Sequence, residues 1–303
     1  MTKQRIKGIV TLLLTAFIWG SAFVAQSEAM ELIHPFTLQA VRSLIGSLFL
    51  VPVILILDAG KKKNGTYRKM TKTDKKNLLV GGLVCGIVLC IASNLQQYGM
   101  YENVNPGKAG FITAMYILLV PVFGLIMGRK IPFRMWICIA AGVVGLYLLC
   151  IESGSSFTIN FGDVLVILCA AVFAVHIMVV DHFVKTCDGV KLSCMQFFIG
   201  GLISSVLMFA FSKPSIDTII AAAFPILYAG IGSCGIAYTL QIIGQKYTPP
   251  TLASLIMSLE SVFAVLTEVA ILGVLPSTRE SVGCIVMFAA IIVSQLPEKM
   301  RKS

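Results

Sequence analysis

The sequence predicts an all-α integral membrane protein with ten transmembrane helices, arranged as two inverted five-helix repeats. Three observations predict it. Hydrophobic residues make up 57% of the 303-residue chain and charged residues only 13%, about half the roughly 25% charged share of a soluble domain. Ten apolar runs approach the roughly 20 residues that a helical span needs. Motifs in the first half recur in the second after five spans, an odd number, so the second copy enters the membrane the other way up. The mean hydropathy of +0.90 excludes a disordered chain. The loops between runs are too short for a folded soluble domain.

Lipid offers backbone amides no partner, so each run must satisfy its own bonds, as a helix does. Long runs without alternation argue against barrel strands. Span one, Gly8–Gln26, follows the basic start Lys3, Arg5 and Lys7 and is too long for the apolar region of a signal peptide. Its Thr11, Thr15, Trp19, Ala22 and Gln26 share one helical face. Span two, Phe36–Leu57, carries Arg42, and span three, Leu78–Tyr98, ends in Asn94, Gln96 and Gln97. Span four, Lys108–Met127, follows Pro106-Gly107; proline is tolerated where a helix starts. Span five, Phe133–Ile151, holds Ala141-Gly142-Val143-Val144-Gly145, a small-residue packing face that could serve a homodimer. Span six is Gly162–Asp181 and span seven Val190–Phe211. Span eight, Thr218–Leu240, contains Gly230-Ile231-Gly232-Ser233-Cys234-Gly235, a formal dinucleotide fingerprint. It lies inside an apolar run and follows no strand, so it reads as close helix packing. Spans nine and ten are Thr251–Gly273 and Ser281–Leu296.

The basic residues orient the chain. All but four of the 24 Lys and Arg residues (Arg42, Lys108, Lys213 and Arg279) fall in the tails and alternate loops. The positive-inside rule then places both termini in the cytoplasm of a multi-pass cell-membrane protein. It also accounts for the net charge of +10 without nucleic acid. The Lys-rich loop after span two reads as a topology signal beside anionic membrane lipid. The nine cysteines show no CxxC or Cys/His metal spacing and read as apolar packing residues. No metal or cofactor is expected, and no Walker motif supplies ATP-driven energy.

The halves match at Leu95-Gln96-x-x-Gly99 and Leu240-Gln241-x-x-Gly244, at Pro106-Gly107 and Pro249-Pro250, and at Val122-Phe123-Gly124 and Val262-Phe263-Ala264. The division falls at residues 1–153 and 154–303. Inverted repeats are the plan of many secondary transporters, with the solute site near midplane between the repeats.

Several segments resemble the EamA family of the drug/metabolite transporter superfamily. They are Trp19-Gly20-Ser21-x-Phe23, Arg42, Pro106-Gly107-Lys108-Ala109-Gly110-Phe111, Leu119-Val120-Pro121-Val122-Phe123 and Ser258-Leu259-Glu260-x-Val262-Phe263-Ala264. The resemblance covers essentially the whole chain. It implies a ten-helix transporter with a central cavity and no prosthetic group, moving amino acids, other metabolites or drugs, often outward. Ser261 stands where that family often has proline after the glutamate.

An ionisable side chain at midplane costs about 2.5–3.5 kcal/mol on insertion scales, so each needs a reason. Glu260, near the centre of span nine, shares a stripe with Met257, Ala264, Thr267 and Glu268; it is a proton-coupling candidate or a bond to a neighbouring helix. His176 is a second proton-coupling candidate, against a role as a satisfied hydrogen-bonder. Trp19, Asn94, Gln96, Tyr116, Tyr238, Gln241 and Ser258 are candidates for solute binding or cavity lining, with interhelical packing as the other reading. Arg42 is a topology signal, pairs with Glu28 or Glu31, or reads a carboxylate through its fork.

The function expected is a secondary active transporter, exporting small metabolites such as amino acids by alternating access around a central cavity. Its partners would be a small-molecule solute, protons and lipid. The other classes are a receptor or scaffold without flux, and an intramembrane serine enzyme, for which no Ser/His spacing speaks.

Overall fold

In the computed structural model, residues 3–102, 104, 106–151, 159–273 and 275–296 are described. Among the described residues ten helices or runs of helical segments are long and apolar enough to cross a membrane, and they form two inverted five-helix repeats. Spans one to three are α1 (Lys3–Leu32), α2 (Pro35–Lys63) and α3 (Lys72–Tyr101). Span four is broken into α4 (Pro106–Ala114) and α5 (Tyr116–Ile126), and span five is α6 (Phe133–Cys150). Spans six and seven are α7 (Phe161–Phe183) and α8 (Gly189–Phe211). After the short α9 (Ile216–Ala221), span eight runs through α10 (Ala223–Leu227), a π-helical segment (Tyr228–Ala237) and α11 (Tyr238–Gln245). Span nine is broken into α12 (Pro250–Met257) and α13 (Glu260–Leu272), and α14 (Thr278–Gln295) is span ten.

The helix starts are written locally. Thr71 and Asp74, Asn160 and Asp163, and Ser277 and Glu280 form capping boxes at α3, α7 and α14. Each satisfies amides that the helix leaves unpaired. Span eight begins later than the hydropathy run suggests, because Pro225 has no N–H for the carbonyl of Ala221 and the helix breaks there. It ends at Gln245 rather than Leu240. Gln241 and Gln245 find protein partners, so falling hydropathy does not end the helix.

Glycines set the close helix approaches. A Cβ on Gly145 would lie 3.0 Å from the carbonyl oxygen of Gly283, and one on Gly283 would lie 2.8 Å from that of Gly145. Spans five and ten are thus locked backbone to backbone, as small residues permit. The glycines of the small-residue face in span five thus pack within the chain. Gly99 and Gly162 join spans three and six in the same reciprocal way, at 2.9 and 2.8 Å. Gly230 packs on Ile45 and the carbonyl of Arg42, the packing role expected of its glycine-rich run. Leu55, Ile56, Phe209 and Ile292 are among the large apolar side chains left on the outer surface, where lipid is their solvent.

Candidate functional site

The two broken spans position the centre of the molecule. Met115 interrupts span four with φ −62° and ψ −8°, and Leu259 interrupts span nine with φ −63° and ψ −8°. Met115 follows Pro106 by as many residues as Leu259 follows Pro250. At both places the amide takes an i→i−3 bond, Met115 to Ile112 at 3.1 Å and Leu259 to Ile256 at 3.2 Å. Such tightened turns mark hinges and functional sites. The first residues beyond the breaks are Tyr116 and Glu260, and the Tyr116 hydroxyl donates to Glu260 Oε1 at 3.2 Å.

Around this bond lies a cavity of about 50 Å³, lined from spans one to four by Trp19, Gln26, Arg42, Gln96, Thr113 and Tyr116. Phe173 and Ile177 of span six, Ser233, Tyr238 and Gln241 of span eight, and Met257 and Glu260 of span nine complete it. Both repeats contribute. The volume admits a few waters, since one needs about 10–15 Å³ of such space; it is far below the roughly 300–1,000 Å³ of small-molecule pockets.

Span eight reaches the cavity through its π-helical segment, where Tyr238 N–H bonds the carbonyl of Ser233 five residues back. Residues five apart point about 140° apart in an α-helix. The wider turn puts Ser233 and Tyr238 on the same cavity. The Thr15 hydroxyl reaches the carbonyl of Ala237 at 3.0 Å, tying span one to this segment. Trp19 lies against Tyr238 with ring centroids 4.6 Å apart.

At the end away from the termini, Arg42 is 5% exposed. Its Nε donates to Gln39 Oε1 at 2.8 Å, and its guanidinium also reaches Gln26 Oε1. Gln97 Nε2 joins the same Gln26 oxygen at 2.7 Å. Among the described residues no carboxylate lies within 4 Å of Arg42, so neither Glu28 nor Glu31 pairs with it. At the other end Gln241 Nε2 donates to Gln245 Oε1 at 3.1 Å, and Gln245 Nε2 to the carbonyl of Ile177 at 2.9 Å. Trp19 Nε1 and Gln241 Oε1 are buried without a hydrogen-bond partner among the described residues.

Of the residues singled out in the sequence, Trp19, Gln96, Tyr116, Tyr238, Gln241 and Glu260 are brought together on this cavity. Three are turned elsewhere. Asn94 Nδ2 bonds Ser204 in span seven at 3.1 Å. The Ser258 hydroxyl returns to its own helix at Leu255, 2.8 Å away. His176, fully buried, bonds Gln196 through Nε2 at 3.2 Å and lies one layer behind Tyr238. Neither Ser21 nor Ser233 has a bond to His176 among the described residues. Met257 shares the cavity with Glu260, as their stripe predicts, whereas the side chain of Glu268 lies outside the described residues. Sequence reasoning does not reach Phe173 or Ile177, because apolar residues carry no polar signal in an apolar run, and it reads Ser233 as part of a packing run rather than as lining. Gln26 and Arg42 do carry one, as polar groups inside spans.

The EamA-like transporter family model matches residues 6–151 and again residues 160–295. An "uncharacterized transporter" of Archaeoglobus fulgidus is 26% identical, over 97% of this chain and 87% of that protein. The "uncharacterized inner membrane transporter YedA" of Escherichia coli K12 is 22% identical, over 91% and 87%. The "uncharacterized transporter YoaV" of Bacillus subtilis is 24% identical over 78% of each chain. A solved crystal structure superposes with a TM-score of 0.77 over 98% of this chain and 99% of that one, at 17% identity; at that identity the likeness is one of fold.

Proposed function

The chain belongs to the EamA-like transporter family, and from that premise we propose that it is a secondary transporter exporting small polar metabolites, amino acids or related compounds, by alternating access. The observation that carries the reading is the meeting of two matched helix breaks at a cavity lined by both repeats. Inverted-repeat transporters place solute sites at such discontinuous helices. A cavity of about 50 Å³ fits an occluded state, closed at one end by the Gln26–Arg42–Gln39 cluster and at the other by Gln241 and Gln245.

Trp19, Tyr116, Tyr238, Gln96 and Gln241 are the solute-facing groups in this scheme, and Glu260 carries the coupled proton. Its bond to Tyr116 ties the protonation state of one repeat to the position of the other. His176 acts in it only through Tyr238. The distribution of Lys and Arg supports cytoplasmic termini.

The test is counterflow in proteoliposomes loaded with pooled amino acids or nucleosides, with wild type, empty vesicles and Glu260→Gln compared. Uptake driven by one pool through folded wild-type protein is the expected result. Silence from every pool with folded protein counts against transport of these classes and favours a receptor or scaffold.

A further inference from the structure

On the face bearing both termini lies a second, larger cavity of about 790 Å³. Among the described residues, the cations Arg5, Lys130, Arg134, Lys185 and Lys246 line it with one carboxylate, that of Asp181. That carboxylate is already held by Arg129 at 2.8 Å and Lys185 at 3.3 Å. Among the described residues no carboxylate lies within 4 Å of Lys130, Arg134 or Lys246. The Nε of Arg134 is buried and has no hydrogen-bond partner among the described residues. The cations come from the ends of different spans and converge on a concavity of metabolite size.

We infer that this vestibule is an anion-binding site that takes small molecules bearing a carboxylate or a phosphate. A cleft lined by one sign of charge focuses its field and raises the local concentration of the opposite sign. Arginine adds a planar fork that matches either oxyanion. The vestibule is separated from the central cavity by Gln245, which lines the one and bonds Gln241 of the other. The far end of that cavity is lined by Arg42, a buried cation bonded to the amide oxygens of Gln39 and Gln26. An anion that enters would meet a second cation along the same path. The site's place in a transport cycle rests on the function proposed above; anion binding itself does not.

The full chain in phosphatidylcholine nanodiscs would be tested for binding of inorganic phosphate and succinate, with neutral succinamide as the control. Wild type binds both anions and not succinamide. Lys130→Gln/Arg134→Gln/Lys246→Gln weakens anion binding about tenfold at low ionic strength, and the difference shrinks in high salt. Lys246→Arg binds as wild type does. If the triple variant fails to fold, Arg134→Gln alone carries the comparison. Failure of wild type to bind either anion, equal binding of succinamide, or unchanged binding in the variants overturns the inference. Nanodiscs with one-third phosphatidylglycerol separate the two sources of phosphate. If that lipid stabilises wild type but not the triple variant while soluble anions are inert, the cations serve a headgroup and the solute assignment is overturned. Silent counterflow with anion binding intact would sink only the transport reading.

Discussion

Tyr116 and Glu260 are the first residues beyond the two helix breaks, one in each repeat, and they hydrogen-bond to each other at 3.2 Å. The contact joins the repeats at equivalent points, so any motion of one repeat against the other strains or breaks it. Tyr116→Phe removes the donor and leaves the ring in place. A single neutral hydrogen bond contributes about 0.5–1.5 kcal/mol net, and the thermal unfolding midpoint should fall accordingly. Glu260→Gln keeps an acceptor oxygen for Tyr116 but cannot take up and release a proton. Counterflow should persist in Glu260→Gln while its response to an imposed pH gradient disappears; a wild-type response would remove Glu260 from coupling.

The spans were legible in sequence because the cost of an unpaired amide in lipid forces long apolar helices. The repeat was legible from Gln96 and Gln241 with their downstream prolines. The breaks were not. Span four carries Pro121, whereas span nine has Ser261 at the place where the family often has proline, yet both spans bend before that point and with the same dihedrals. The echo of Val122-Phe123 in Val262-Phe263 sets Glu260 against Val120; the breaks set it against Tyr116. Helical periodicity also assigns a face without naming the neighbour behind it. That is why Asn94 and Ser258, polar and well placed along their spans, turn to Ser204 and to Leu255.

Gly20 decides how closely span one can approach span nine. A Cβ there would lie 2.5 Å from the carbonyl oxygen of Glu260 and 2.7 Å from Ala264 N. Both are backbone atoms that cannot rotate away, so Gly20→Ala must push the helices apart beside the cavity. Overpacking of this kind costs about 1–3 kcal/mol. Gly60, also helical, has nothing within 4 Å of the position a Cβ would take, and Gly60→Ala should be neutral or stabilising by up to about 1 kcal/mol. Thermal midpoints of the two variants, measured side by side, should move in opposite directions.

Asp163 is 1% exposed and holds Lys108 at 2.7 Å, tying the start of span six to the start of span four in the other repeat. It also accepts from the amide of Asn160 at 2.8 Å. Asp163→Asn keeps an acceptor for that amide and replaces the charged partner of Lys108 by a neutral one. Breaking a buried pair costs about 3–5 kcal/mol, and the partial exposure of Lys108 lowers the expectation to about 2–3 kcal/mol. Lys108→Met added to Asp163→Asn should recover part of the loss. A double variant no more stable than the single one would show that the loss does not come from the Lys108–Asp163 ion pair.

Gln245 lines the vestibule and bonds Gln241, which lines the central cavity. Its amide spans from Gln241 in its own helix to the carbonyl of Ile177 in span six, at 3.1 and 2.9 Å. Gln245→Ala removes both bonds and the side chain that fills the gap, while the backbone stays helical because alanine is the best helix former. The carbonyl of Ile177 and Nε2 of Gln241 then face new space that water can fill, so the stability loss should be small, about 1 kcal/mol. The functional loss should be larger. With this end of the cavity opened, occlusion is incomplete, and solute should leak down its gradient without exchange. Efflux into solute-free buffer should therefore rise in Gln245→Ala relative to counterflow, whereas Gln245→Glu, which preserves both the reach and an acceptor for Gln241, should leak less. Equal ratios of efflux to counterflow in wild type and Gln245→Ala would place the barrier elsewhere along the path.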